Sequence, residues 1–211
     1  MPKENSLASA YMQWLSSHEP IPPHMYQTHG GQVAVANGLI INHAFEAHSN
    51  HWIVRATGEK APNMMVTADF SRVRRANRAH DPDWYERVTL LRLSDASYTA
   101  LFDESVDGAV ARLLGPYPAF HSFPRTAQIA LVDLCLYGAD STAAKSQGSP
   151  LRDSIVKGDW ESVSHHCRRF SLDDDRNNAT SRLFLRAMGE VEAKAKKERK
   201  NHAAAEARTE E

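Results

Sequence analysis

TAQIALVDLCLY, residues 126–137, is apolar on nearly every side when wound as a helix. Ile129, Ala130, Leu131, Val132, Leu134, Cys135 and Leu136 leave almost no polar face. A helix of that kind belongs at the centre of a helical bundle. Its neighbours supply the bundle. Upstream, Ser94 can cap a helix carrying Tyr98, Leu101 and Phe102. Asp103 is expected to start another, with Val106, Val110, Leu113 and Leu114 on one face, ended by Gly115, Pro116 and Pro118. Downstream, Asp159 caps a helix with Trp160, Val163 and Cys167 on one stripe. Asp173, Asp174 and Asp175 favour a helix N-terminus and precede Ala179, Leu183, Ala187, Met188 and Val191. Beyond Glu192 the chain is dominated by Ala, Lys, Glu and Arg, so residues 193–211 read as a charged tail, either a solvated helical extension or disordered.

The N-terminal half is organised differently. Leu7, Tyr11, Trp14 and Leu15 form one apolar stripe, which predicts a helix over 5–18, stopped by Pro20, Pro22 and Pro23. MYQTHGGQVAVANGLII follows as residues 25–41, with a Gly-Gly turn and alternation at Val33 and Val35, and reads as a short antiparallel hairpin. Residues 50–92 are Arg-rich and broken by Pro62 and Pro82. A helix is expected over 67–78 there, with Arg72, Arg74, Arg75 and Arg78 as a solvated face.

Composition bounds the function. The chain has 211 residues, 42% apolar and 24% charged, enough to bury a core and too apolar for wholesale disorder. A net charge of −1 gives no global reason to expect nucleic-acid binding. No run approaches the roughly 20 apolar residues of a membrane span. The N-terminus lacks the apolar core of a secretory signal, so the expected location is cytoplasmic as synthesised, with any later delivery to the periplasm or a target cell by another route. Cys135 and Cys167 have no CxxC spacing and read as reduced packing residues. His43, His48 and His51 lack an acidic or Cys partner, so neither a metal nor an organic cofactor is expected.

The order of these segments resembles the phage-type lysozymes, the bacteriophage muramidase family. LFDESVDGAVARLL (101–114) is similar to the family's Leu-Phe-x-x-x-Val-Asp-x-Ala-Val helix, and AQIALVDLCLYG (127–138) to its central buried helix. GDWESV (158–163) and DRNNATSRLF (175–184) are similar to its Trp helix and the Arg-Asn segment that follows. At the N-terminal end the family has a Glu closing the first helix, a Tyr seven residues on, an Asp two after that, and a Thr-x-Gly-x-Gly-His hairpin. Glu19 and Tyr26 keep the first spacing, and Ala34 to Leu39 takes the hairpin position. The resemblance covers residues 10 to 188 and is poorest over 45–92.

The resemblance implies a mainly helical, lysozyme-like α+β fold. A small antiparallel hairpin lobe (about 20–60) and a larger helical lobe (about 94–192), within a domain of residues 1–192, would flank an interlobe cleft. It implies the glycan strand of peptidoglycan as ligand, reached through a phage or secretion system, and Glu19 as general acid. Glycosidic cleavage commonly divides its work between two carboxyl groups. Here the family's Asp position falls on Thr28 and its Thr position on Ala34, while Ala36 and Leu39 replace a Gly and the His. Thr28 cannot carry a negative charge and Ala34 cannot orient water. Three readings follow. One is a degenerate pseudo-lysozyme that binds glycan or a protein partner. The second is an active muramidase or lytic transglycosylase using Glu19 alone, with His29 as a substitute base. The third is a shifted alignment in which Glu46 or Glu59 serves. Tyr26 is expected to pack the hairpin. Arg176 is the expected counterpart of the family's Arg that meets the acid, with Asn178 as the alternative position. Trp160 is a core residue in this reading, while Trp52 and Trp84 are candidates either for packing or for stacking on a sugar ring.

Overall fold

A computed structural model describes residues 6–28, 30–76, 80–137, 148–169, 172 and 174–207. The architecture is α+β, mainly helical, with two small antiparallel sheets. The chain divides into two compact units, residues 1–107 and 108–211.

The first unit opens with α1 (Leu7–Ser16), whose N-cap Ser6 accepts the Ser9 amide at 3.0 Å. Tyr11 and Leu15 bury its apolar stripe, and Tyr11 meets Phe102 with ring centroids 5.7 Å apart. The expected hairpin is a three-stranded sheet: β1 (Tyr26–Gln27), β2 (Val33–Val35) and β3 (Leu39–Ile41). Its register sets Tyr26 opposite Ala34 and Ala34 opposite Ile40. A one-turn helix, α2 (Ala44–Ala47), leads to β4 (Trp52–Val54), then α3 (Asn63–Arg74) and a 3-10 turn at Pro82–Arg87. Next, β5 (Leu91–Leu93) pairs with β4, with Trp52 opposite Leu93. The core joins both sheets to α3 through Met25, Val35, Trp52, Phe70, Val73, Tyr85 and Leu91.

Two expectations are corrected in this unit. The helix expected at 67–78 runs instead over Asn63–Arg74, because Pro62 takes the N-cap position with extended backbone and the N–H it lacks is not required there. Arg78 lies outside the described residues. The two helices expected from Ser94 and Asp103 are one, α4 (Asp95–Leu114), because no Gly or Pro interrupts residues 95–107. Ser94 does cap it, accepting the Ser97 amide at 3.2 Å.

The second unit is helical. After a 3-10 turn at Phe120–Ser122 come α5 (Arg125–Tyr137), α6 (Pro150–Lys157), α7 (Trp160–His166) and α8 (Asp174–Ala207). Trp160 is buried as expected, stacked on Phe184 at 7° and met edge-on by Phe123. Its helix is capped by Asp159, which accepts the Ser162 amide at 3.1 Å. Both cysteines are free; burial pushes the Cys167 thiol up to about 11. The tail is helical to Ala207, and among the described residues no helix is long and apolar enough to cross a membrane.

Candidate functional site

Glu19 sits where α1 runs out. The amides of His18 and Glu19 both donate to the Leu15 carbonyl, at 2.9 and 3.1 Å, so the chain winds one step past the helix before Pro20 ends it. The segment that follows is clamped from three sides. Tyr98 Oη donates to the Ile21 carbonyl at 2.8 Å, the Ala36 amide to Pro22 at 3.2 Å and the Leu93 amide to Pro23 at 2.7 Å. The half-buried Glu19 is thereby tied to α4, to the β2–β3 turn and to β5.

Glu19 and Tyr26 come together. Burial holds the Tyr26 phenol well above its ordinary value, and the nearby Glu19 carboxylate raises it further. The hydroxyl therefore stays protonated and donates to the Ala36 carbonyl at 3.3 Å. Thr28 lies two residues on, just past the end of β1. It extends the ladder, its amide donating to Gln32 O at 2.8 Å, while its hydroxyl accepts the Gln32 amide at 3.2 Å. Thr28 is thus an ordered turn residue. Ala34 is 0% exposed between Tyr26 and Ile40, so a hydroxyl at that position would be sealed in the sheet. His29 lies outside the described residues.

The β2–β3 turn bears on the alignment. Ala36 has φ +52° and Gly38 φ +87°. Left-handed backbone favours glycine, and an alanine held there is strained. The two positions are those that the Thr-x-Gly-x-Gly-His pattern fills with glycine. Glu46, a reserve carboxylate in the shifted alignment, is spent on its own turn, accepting the Asn42 amide at 2.8 Å. Glu59 lies in the loop after β4, its amide donating to Thr57 Oγ1 at 3.3 Å.

Arg176 and Asn178 belong to the second unit. Arg176 is buried and ion-paired with Asp133, its guanidinium also lying 5.0 Å from the Tyr137 ring centroid. Asp133 is 0% exposed and also holds Arg169 at 2.8 Å and the Thr180 hydroxyl at 2.8 Å. One carboxylate therefore serves two buried guanidiniums. Asn178 is exposed; the buried amide is its neighbour Asn177, which accepts the Arg169 amide at 2.9 Å and donates to the Arg169 carbonyl at 2.8 Å. Asp133 and Arg169 escaped the sequence reading, although a lone carboxylate inside an otherwise apolar helix signals a buried partner.

Trp52 is not a sugar platform: it is 1% exposed and its indole N–H donates to the Ala47 carbonyl at 2.7 Å. Trp84 remains half-buried. Among the described residues, no group of three or more His, Cys, Asp and Glu comes together as a metal site. Compared with models of known families and with curated proteins, the chain matches none.

Proposed function

We propose that the chain is a lysozyme-like protein directed at the glycan strand of peptidoglycan, and that it binds the strand without cleaving it. The observation that carries this is the constellation around Glu19. The acid is fixed at the end of α1 and is felt by Tyr26, yet the positions expected to carry its Asp and Thr partners hold the turn residue Thr28 and the sealed Ala34. The left-handed Ala36 and Gly38 support the alignment from which those positions follow. A lone carboxylic acid can protonate a leaving oxygen, but an inverting or retaining hydrolysis also needs a base or nucleophile on the other face of the sugar.

Co-sedimentation with purified, insoluble peptidoglycan tests the reading. The expected result is that the protein enters the pellet while the suspension keeps its turbidity. Clearing that Glu19→Gln abolishes would replace this reading with the active alternative. Products with anhydro ends would then make the enzyme a lytic transglycosylase, and reducing ends a muramidase. Protein left wholly in the supernatant of an unchanged suspension would remove the glycan from the account and favour a protein partner.

A further inference from the structure

Trp84 projects from the 3-10 turn Pro82–Arg87 and is held on two sides. The His80 ring stacks on it at 3.8 Å and 25°, and Tyr85 meets it edge-on at 5.1 Å. Beside it opens a pocket of about 450 Å³. Small apolar side chains, Ala68, Ala76 and Val88, line it together with Ser71, Arg72 and Arg75. Among the described lining residues no side chain is acidic. Beneath the wall Asp69 is buried, accepting the Leu90 and Leu91 amides at 2.8 and 2.9 Å and pairing with Arg72. Arg72 also donates to the Val88 carbonyl at 3.0 Å, so its guanidinium is fixed at the wall before any ligand arrives. Arg75, at the end of α3, is exposed.

A fixed indole beside a floor of small apolar groups suits the C–H face of a pyranose ring. The exposed Arg75 guanidinium at the rim, beside an Arg72 already paired with Asp69, suits a carboxylate on that sugar. We infer that this pocket is a second carbohydrate site, for an acidic sugar: a pyranose bearing a carboxylate, as N-acetylmuramic acid does on its 3-O-lactyl group where no stem peptide is attached. The inference rests on the glycan reading above for the polymer concerned, and on none of the residues around Glu19.

Indole N–H resonances of the ¹⁵N-labelled full chain give a direct readout. The chain has four tryptophans, and Trp84→Phe assigns the signal of interest. The probes are a tetrasaccharide of alternating N-acetylglucosamine and N-acetylmuramic acid, neutral chitotetraose, and an oligogalacturonate. The muramoyl probe is expected to shift the Trp84 signal saturably, on the order of tenfold more tightly than chitotetraose. Arg75→Ala, a surface change that leaves the core intact, should abolish that preference. A response to oligogalacturonate as well supports the acidic-sugar class and widens it beyond muramoyl residues. An unmoved Trp84 signal, or equal affinity for acidic and neutral probes, overturns the inference. Peptidoglycan co-sedimentation run beside it separates the two failures. Retention with an unmoved Trp84 removes this site alone, and loss of both removes the glycan reading with it.

Discussion

Ala34 and Ala36 are equally sealed, at 0% and 1% exposure, but Ala34 is in a strand and Ala36 has φ +52°. Truncating either to glycine removes the same buried methyl, so the difference between the two variants isolates the backbone term. Ala34→Gly should cost about 1 kcal/mol more than Ala36→Gly in chemical denaturation. Equal losses would show that Ala36 carries no left-handed strain. His24 gives a test in pH. Burial, only partly offset by a contact from Nε2 to the Pro82 carbonyl at 3.1 Å, lowers its pKa from 6.5. Below that value the unfolded chain takes up a proton that the folded chain refuses, so stability falls as the pH drops from 6.5 through the folded value. Replacing His24 with Gln should flatten that part of the stability–pH curve; an unchanged slope would assign it to other groups.

Asp133 on α5 joins that helix to α8 through Arg176 and Thr180, and to Arg169 in the segment after α7. Asp133→Asn leaves two buried guanidiniums without their anion and should destabilise the chain by about 3–5 kcal/mol. A loss under about 1 kcal/mol, measured by urea unfolding, would mean that water or another anion already serves those arginines. The end of α8 is the opposite case. From Val191 to His202 only Ala195 is even half-buried, so removing the residues after Glu192 should shift Tm by no more than about 2 °C. These contrasts mark how far the sequence could be read. α5 is legible because it is apolar on nearly every side, and α7 because its stripe and its cap leave a local trace. β4 and β5 left none: each is three residues long, and Trp52 meets Leu93 across a separation that no local pattern spans. In the sequence Pro62 reads as an interruption, yet its place at the helix start depends on where the chain turns into α3. The Glu19–Tyr26 spacing was legible, whereas the tie of Thr28 to its own turn depended on the strand register. The pocket beside Trp84 forms only where the 3-10 turn meets α3 and could not be read from either segment alone.

For the whole molecule, the proposal is that an acid remains in place and its partner has gone. Thr28 offers the means to test it, because an Asp there can accept the Gln32 amide as the threonine hydroxyl does. Ala34→Thr is the poorer restoration, since it places a hydroxyl inside the sheet at a cost of about 1–3 kcal/mol. The most direct measurement is the release of soluble muropeptides from purified peptidoglycan by three proteins: the wild type, Thr28→Asp, and Thr28→Asp with Glu19→Gln. The expected result is silence from the first, release by the second and silence again from the third. Release by the wild type, or none from a folded Thr28→Asp protein that still sediments with the wall, would contradict the claim that the missing companion carboxylate is what keeps Glu19 silent.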